Sequence, residues 1–258
     1  MQNDGSFSAV YNMLSLGIAS MLFTSIFLWV ARDRVLPKYR LAVMVSATVT
    51  SIAAYHYFRM FDSFKEAYGG TMSLADAFAH YNVAYRYVDW FLTVPLLLVE
   101  LVAVMGLARA VQSSLLKRLV PAAALMIALG FPGDTKMNVF YDGDAGLWGA
   151  LSTIPFLYIL YVLFVEISKS LKTQSPAVQT ILSRARLLLI ASWGVYPITF
   201  IISMNASGAP SGADVTAREI GYSIADIIAK CVFGLLIFTV ARIKSAEESK
   251  EFATAEGH

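Results

Sequence analysis

Long apolar stretches bounded by charged or turn-forming residues recur seven times along the chain, at about 8–31, 38–61, 79–106, 117–132, 146–170, 180–204 and 217–243. A helix needs about 20 mostly apolar residues to cross a hydrocarbon core. Lipid offers no partner to a backbone N–H or C=O, so spanning segments must close their hydrogen bonds internally, as helices do. The pattern predicts an all-α membrane protein, a seven-transmembrane-helix bundle forming one domain over 1–258 with short polar tails at about 1–7 and 245–258. Gly69 and Gly70, the polar run at 133–138 and the Asn205 to Gly212 segment carry turn chemistry between spans. The connection at 62–78 is long enough for a short hairpin. No basic residue precedes Arg32, so residues 8–31 read as a retained first span rather than a cleaved leader.

Composition agrees, because 57% hydrophobic and only 15% charged residues leave too little polar surface to cover a soluble globule of this length. A net charge of +2 with no clustered basic face gives no support to nucleic-acid binding. The informative feature is where the charges fall. Of the 20 Lys and Arg residues, fourteen lie on the side shared by the 32–40, 107–118, 169–186 and 242–250 segments. Arg59, Lys65, Arg86, Lys136 and Arg218 fall toward the other side, and Lys230 lies inside a span. The positive-inside rule then places the N-terminus outside and the C-terminus in the cytoplasm. The single cysteine, Cys231, cannot form an intramolecular disulfide and reads as a small buried hydrophobe, and no metal site is expected.

Charges inside the spans are the candidates for chemistry, since an ionised group at mid-membrane costs at least about 2.5 kcal/mol. In the seventh span Asp226 and Lys230 stand four residues apart, on one helix face, where they can neutralise each other. In the third span Arg86, Asp89, Thr93 and Glu100 advance by three, four and seven residues and so return to one face. Arg86 can pair with Asp89 and Thr93 can hydrogen-bond it, while Glu100 lies about 16 Å further along the axis. Two carboxylates flanking an interior lysine form the layout of a proton relay. Glu100 has no cation nearby in sequence, so desolvation favours its protonated form, whereas Asp89 beside cations stays ionised. His56, in the outer half of the second span, can share a proton with a carboxylate, although a lone interior histidine more often only packs. Trp90, Trp193, Tyr196 and Phe200 fit a bundle core, and Pro95, Pro121, Pro155 and Pro197 fall within spans.

The strings Arg-Tyr-Val-Asp-Trp at 86–90, with Thr93, Pro95 and Glu100, and Asp226 four before Lys230 resemble those of the microbial rhodopsins. Trp-Gly-Val-Tyr-Pro at 193–197 is similar to that family's sixth-helix clamp, and the run at 151–164 to its fifth helix. The resemblance implies a light-driven transport protein rather than an enzyme, with all-trans-retinal on Lys230 as a protonated Schiff base. It implies Asp89 and Asp226 as counterions, Arg86 tuning them, Asp89 as proton acceptor and Glu100 as donor. Asp89, Thr93 and Glu100 together are similar to the triplet of proteorhodopsin-like outward proton pumps, and His56 matches that group's partner of the acceptor. Leu97 matches the position where leucine accompanies green absorption. Trp90, Leu97, Met126, Gly130, Ser152, Thr153, Phe156, Trp193, Tyr196 and Pro197 are the implied retinal pocket.

Trp-Gly-Ala-Leu-Ser-Thr at 148–153 resembles the xanthorhodopsin branch, in which a glycine matching Gly149 opens a window for a hydroxylated carotenoid antenna. The outer glutamate pair of bacteriorhodopsin is matched by Asn205 and Arg218, so early proton release by such a pair is not expected. Glu219 would point about 100° away from Arg218 on a helix. The resemblance also implies a homo-oligomer, pentamer or trimer, in a bacterial cytoplasmic membrane. A sensory rhodopsin is the rival reading, and Glu100 argues against it because sensors often lack a carboxylate donor.

Overall fold

The computed structural model describes residues 5–133, 145–205 and 211–254. Among the described residues the regular structure is helical, and seven helices are long and apolar enough to cross a membrane. In chain order the helices are α1 (Ser6–Ala31), α2 (Pro37–Tyr68), α3 (Leu74–His80), α4 (Ala84–Val104) and α5 (Arg109–Gly130). They continue as α6 (Ala145–Tyr161), α7 (Ile167–Leu171), α8 (Pro176–Asn205), α9 (Gly212–Asp226), α10 (Phe233–Glu248) and α11 (Lys250–Thr254). A π-helical turn, Val162–Glu166, joins α6 to α7, and a second, Ile227–Val232, joins α9 to α10. Each pair forms one continuous span. Lys136 and the turn at 206–210 lie outside the described residues, as do the side chains of Phe200 and Asn205.

Local chemistry explains the helix starts. Pro37 opens α2, where its missing N–H is one the helix would leave unpaired anyway. Ser211 and Asp214 form a reciprocal capping box at the start of α9, and Ser73 accepts from the Asp76 N–H at the start of α3. The expected hairpin at 62–78 is not formed. Instead α2 runs on to Tyr68 because Phe64, Ala67 and Tyr68 are buried, and the short α3 follows.

Burial is uneven in the way a bundle in lipid requires. The helix α4 is buried over most of its length, while α1 and α6 present Phe23, Val30, Leu147 and Ile154 outward. The polar interior is thus built around α4 and the α9–α10 span, which run in the same direction and face each other.

Candidate functional site

The interior of the bundle holds a chain of charges. At its centre Nζ of Lys230 donates to Oδ2 of Asp89 and, at 3.1 Å, to Oδ1 of Asp226. All three groups are fully or almost fully buried. Asp226 is held by further donors from three helices: Tyr57 at 2.8 Å, Tyr196 at 2.7 Å and the Trp90 indole at 3.1 Å. A carboxylate so surrounded is fixed in place and well compensated for its lost water. Asp89 is less saturated, because its Oδ1 has no hydrogen-bond partner among the described residues.

Arg86 does not pair with Asp89 as the sequence spacing suggested. Its long side chain reaches across to the seventh span, where it bonds Glu219 at 2.7 Å and Asp226 at 3.4 Å. Tyr81 also donates to Glu219, at 2.9 Å. Burial, and then the Glu219 charge, push the Tyr81 phenol well above its ordinary range. Thr93 likewise differs from expectation, since its hydroxyl bonds the backbone carbonyl of Asp89 at 2.7 Å and not the carboxylate. A Thr hydroxyl four residues on finds that carbonyl within its own helix. Nδ1 of His56 donates to the Ile52 carbonyl at 3.0 Å, and the ring is buried within electrostatic reach of Asp89.

Glu100 is separated from this cluster by three turns of α4 and is fully buried. Ser46 of α2 touches its Oε2, while its Oε1 has no partner among the described residues. Ser46 Oγ has one proton, and the Ala42 carbonyl, which can only accept, lies 3.2 Å away. Both contacts of Ser46 are satisfied when Glu100 carries a proton and donates it to Oγ. The central cluster, by contrast, sets three carboxylates, Asp89, Asp226 and Glu219, against two cations, Lys230 and Arg86. Its surplus negative charge gives it room for one more proton.

A cavity of about 320 Å³ lies beside Asp226. Its walls are apolar and aromatic and include Trp90, Met126, Gly130, Gly149, Ser152, Thr153, Phe156, Trp193, Tyr196 and Pro197. Tyr87, Val94, Ile127, Gly146, Ala150 and Tyr222 complete the lining. Leu97 is buried but does not line it. Nor does Lys230, whose amine is drawn behind Trp90 and Tyr196 by its two carboxylate partners. Tyr196 and Tyr222 stack at 5.6 Å, Trp90 meets both edge-on at 4.8 and 5.3 Å, and the three form the wall between cavity and charges.

A family model described as bacteriorhodopsin-like protein matches residues 8–244. The chain belongs to the bacteriorhodopsin-like family. It is a microbial rhodopsin, and a multi-pass protein of the lipid bilayer. Green-light absorbing proteorhodopsin of a gamma-proteobacterium is 30% identical over 226 residues, which cover 86% of this chain and 82% of that one. Xanthorhodopsin, whose crystal structure is described as that of a light-driven ion pump with dual chromophore, is 46% identical with a TM-score of 0.86. The match covers 95% of this chain and 96% of that one. A thermophilic rhodopsin is 44% identical with a TM-score of 0.87, covering 95% and 97%.

Several residues of this rhodopsin site were not singled out from sequence. Glu219 was, but only against Arg218. It stands seven residues before Asp226, and seven residues are nearly two helical turns, so the two share a face. Tyr222, four before Asp226, continues the same stripe and lies over Arg86 at 5.1 Å. Tyr57 and Ser46 come from α2, and no spacing in the chain announces whom they meet.

Proposed function

We propose that the protein is a light-driven outward proton pump of a bacterial cytoplasmic membrane, working with all-trans-retinal on Lys230. The whole chain acts as one rhodopsin domain, with the Arg86 end of the bundle facing outward and the Lys244 end facing the cytoplasm. The observation that carries the reading is the difference between two buried carboxylates on one face of α4. Asp89 is ion-paired with Lys230, while among the described residues Glu100 has only a serine hydroxyl as polar partner.

The cavity fits a retinal. A volume of about 320 Å³ lies at the lower end of the range of small-molecule sites, about 300–1,000 Å³. Its walls suit an apolar polyene, and its aromatic end adjoins the Lys230–Asp226 pair. Lys230 would hold retinal at Nζ as a Schiff base, and the bound retinal would supply visible-light absorption and photoisomerisation.

The chain's residues do the rest. Before illumination Asp89 and Asp226 hold the proton at Nζ. Asp89, whose Oδ1 has no partner among the described residues, accepts it, because Asp226 is already saturated by Tyr57, Tyr196, Trp90 and Arg86. Glu100, protonated against Ser46, then returns a proton to Nζ from the opposite side and refills from the cytoplasm. His56 acts as partner to Asp89. Vectorial transport follows from the two carboxylates lying on opposite sides of Lys230, about 16 Å apart along α4. A buried carboxyl donor of this kind disfavours a sensory role.

The cavity wall at α6 also supports a hydroxylated carotenoid as second chromophore. Gly146, Gly149 and Ala150 line it without bulky side chains, next to the exposed Leu147 and Ile154. An action spectrum lacking a carotenoid band after carotenoid addition would end that part of the proposal. A homo-oligomer, trimer or pentamer, completes it.

The deciding experiment is the pH of an unbuffered suspension of retinal-supplied cells expressing the protein, in light and dark, with and without protonophore. Light-driven acidification abolished by the protonophore is the expected result. A coloured sample without any pH change would overturn the pump.

A further inference from the structure

Beyond Glu100, among the described residues, a single buried cation closes the bundle. Lys244 of α10 is only 7% exposed, and its Nζ donates to the Met105 carbonyl at 2.7 Å and to Oε1 of Gln174 at 2.7 Å. It also lies 5.0 Å over the ring of Tyr39. Each contact comes from a different part of the bundle. Met105 is the C-cap of α4, Gln174 belongs to the connection between α7 and α8, and Tyr39 lies in the first turn of α2. Gln174 also donates back to the Met105 carbonyl, at 3.3 Å.

The backbone is shaped around this group. Gly106 follows Met105 with φ +64, a conformation that favours glycine, and a Cβ there would come 3.3 Å from Nζ of Lys244 and 3.3 Å from the Tyr39 ring. Only a glycine lets the α4–α5 turn close down on the ammonium without crowding. Around it, Tyr39 donates to Glu248 at 2.6 Å, Lys38 pairs with the same carboxylate, and the Ser175 hydroxyl reaches Glu247 at 2.6 Å. The Leu36 N–H bonds Ser245 at 2.9 Å. Lys38, Ser175, Glu247 and Glu248 are partly or fully exposed, whereas Tyr39, Ser245 and Lys244 are enclosed.

The position matters because Met105 is five residues beyond Glu100 on α4, about 7.5 Å along the axis. Leu101, Val104 and Met105, all buried, fill that interval. No side chain of the transport cluster is involved. Resting on the pump reading above, we infer that Lys244 gates the proton path into Glu100. Its ammonium seals the cytoplasmic end by tying α4, the α7–α8 connection and α2 to α10, and it must let go before Glu100 is reprotonated. The seal is also electrostatic. A fixed unit charge roughly 10 Å from an incoming proton, at an effective dielectric of about 20, opposes it by about a tenfold factor in rate.

The test compares wild type with Lys244→Met, Lys244→Arg and Gln174→Ala in the full-length, retinal-supplied protein. Flash absorption separates the transfer to Asp89 and the return of a proton to Nζ from the later refilling of Glu100. We expect Lys244→Met to speed the refilling about tenfold and leave both earlier transfers within about twofold of wild type, with Lys244→Arg near wild type. Gln174→Ala, which spares the charge, is expected to speed the refilling less. It also serves if Lys244→Met yields no pigment. An unchanged or slower refilling in these variants, or equal changes in all three steps, overturns the gate. Amide hydrogen exchange in the dark gives a readout that does not need pumping: in Lys244→Met the 106–109 and 172–175 segments should exchange faster. Unaltered exchange there overturns the gate even if the protein pumps, whereas wild type that fails to acidify overturns the pump reading alone.

Discussion

Nη2 of Arg86 lies 2.7 Å from Oε2 of Glu219, with each side chain 3% exposed. Arg86 therefore bridges two carboxylates of the seventh span and anchors the first turn of α4 to it. Removing one partner of a buried pair strands the other and costs about 3–5 kcal/mol. Glu219→Gln should thus lower the temperature at which the pigment loses its colour. Arg86→Gln combined with Glu219→Gln should destabilise by less than the sum of the single changes, and simple additivity would show that the two do not act as a pair.

Tyr81 adds a neutral donor to that carboxylate. Its phenol is pushed above the ordinary value of about 10 by burial and by Glu219. A group whose value is raised on folding stabilises fully below the unfolded value and loses that contribution only as pH climbs through the folded one. Tyr81→Phe should cost about 1.5–3 kcal/mol, constant from mildly acid to mildly alkaline pH. A penalty that faded already near neutrality would contradict the assignment.

Gly17 of α1 makes room for Tyr57. A Cβ at this position would stand 2.4 Å from the Tyr57 ring, so Gly17→Ala must displace the phenol that donates to Asp226. The expected result is a shifted visible absorption band together with a loss of about 1–3 kcal/mol from overpacking. Gly70→Ala, with nothing within 4 Å of its new methyl, serves as control and should leave the band in place.

Three substitutions separate the transport roles. Lys230→Ala should give a colourless protein. Asp89→Asn should stay coloured and stop light-driven acidification. Glu100→Gln should stay coloured, keep the first transfer and slow the return of the proton by at least about a hundredfold, the usual scale for removing a positioned proton donor. Retained pumping in Asp89→Asn would remove Asp89 from the acceptor role.

The spans and the charged stripes could be read from the chain because helices repeat every 3.6 residues and lipid penalises unpaired charge. Arg86, Asp89, Glu100, Asp226 and Lys230 were legible for that reason. The pairing of Arg86 was not, since a side chain of that length can choose among partners on its own helix and on the next. Glu219 could have been found by counting back seven from Asp226 rather than one forward from Arg218. Tyr57 and Ser46 depend on how α2 packs against the rest of the bundle, 169 and 54 residues away in sequence from the groups they touch. Periodicity within one helix carries no information about rotation between two.

The wide turn at Ile227–Val232 holds Lys230 itself. A π turn takes an extra residue into its wider loop, so the helix beyond it keeps the phase it would have with one residue fewer. Glu219, Tyr222 and Asp226 lie before the turn, Ile237, Ala241 and Lys244 after it, and both sets are buried. Deleting one residue from 227–232 would therefore restore regular helix and leave Lys244 facing the bundle, whereas deleting one from 233–243 would swing it by about 100° relative to the cluster around Asp226. Chimeras that replace this turn with regular α-helix must carry one residue fewer across it, whatever side chains they exchange.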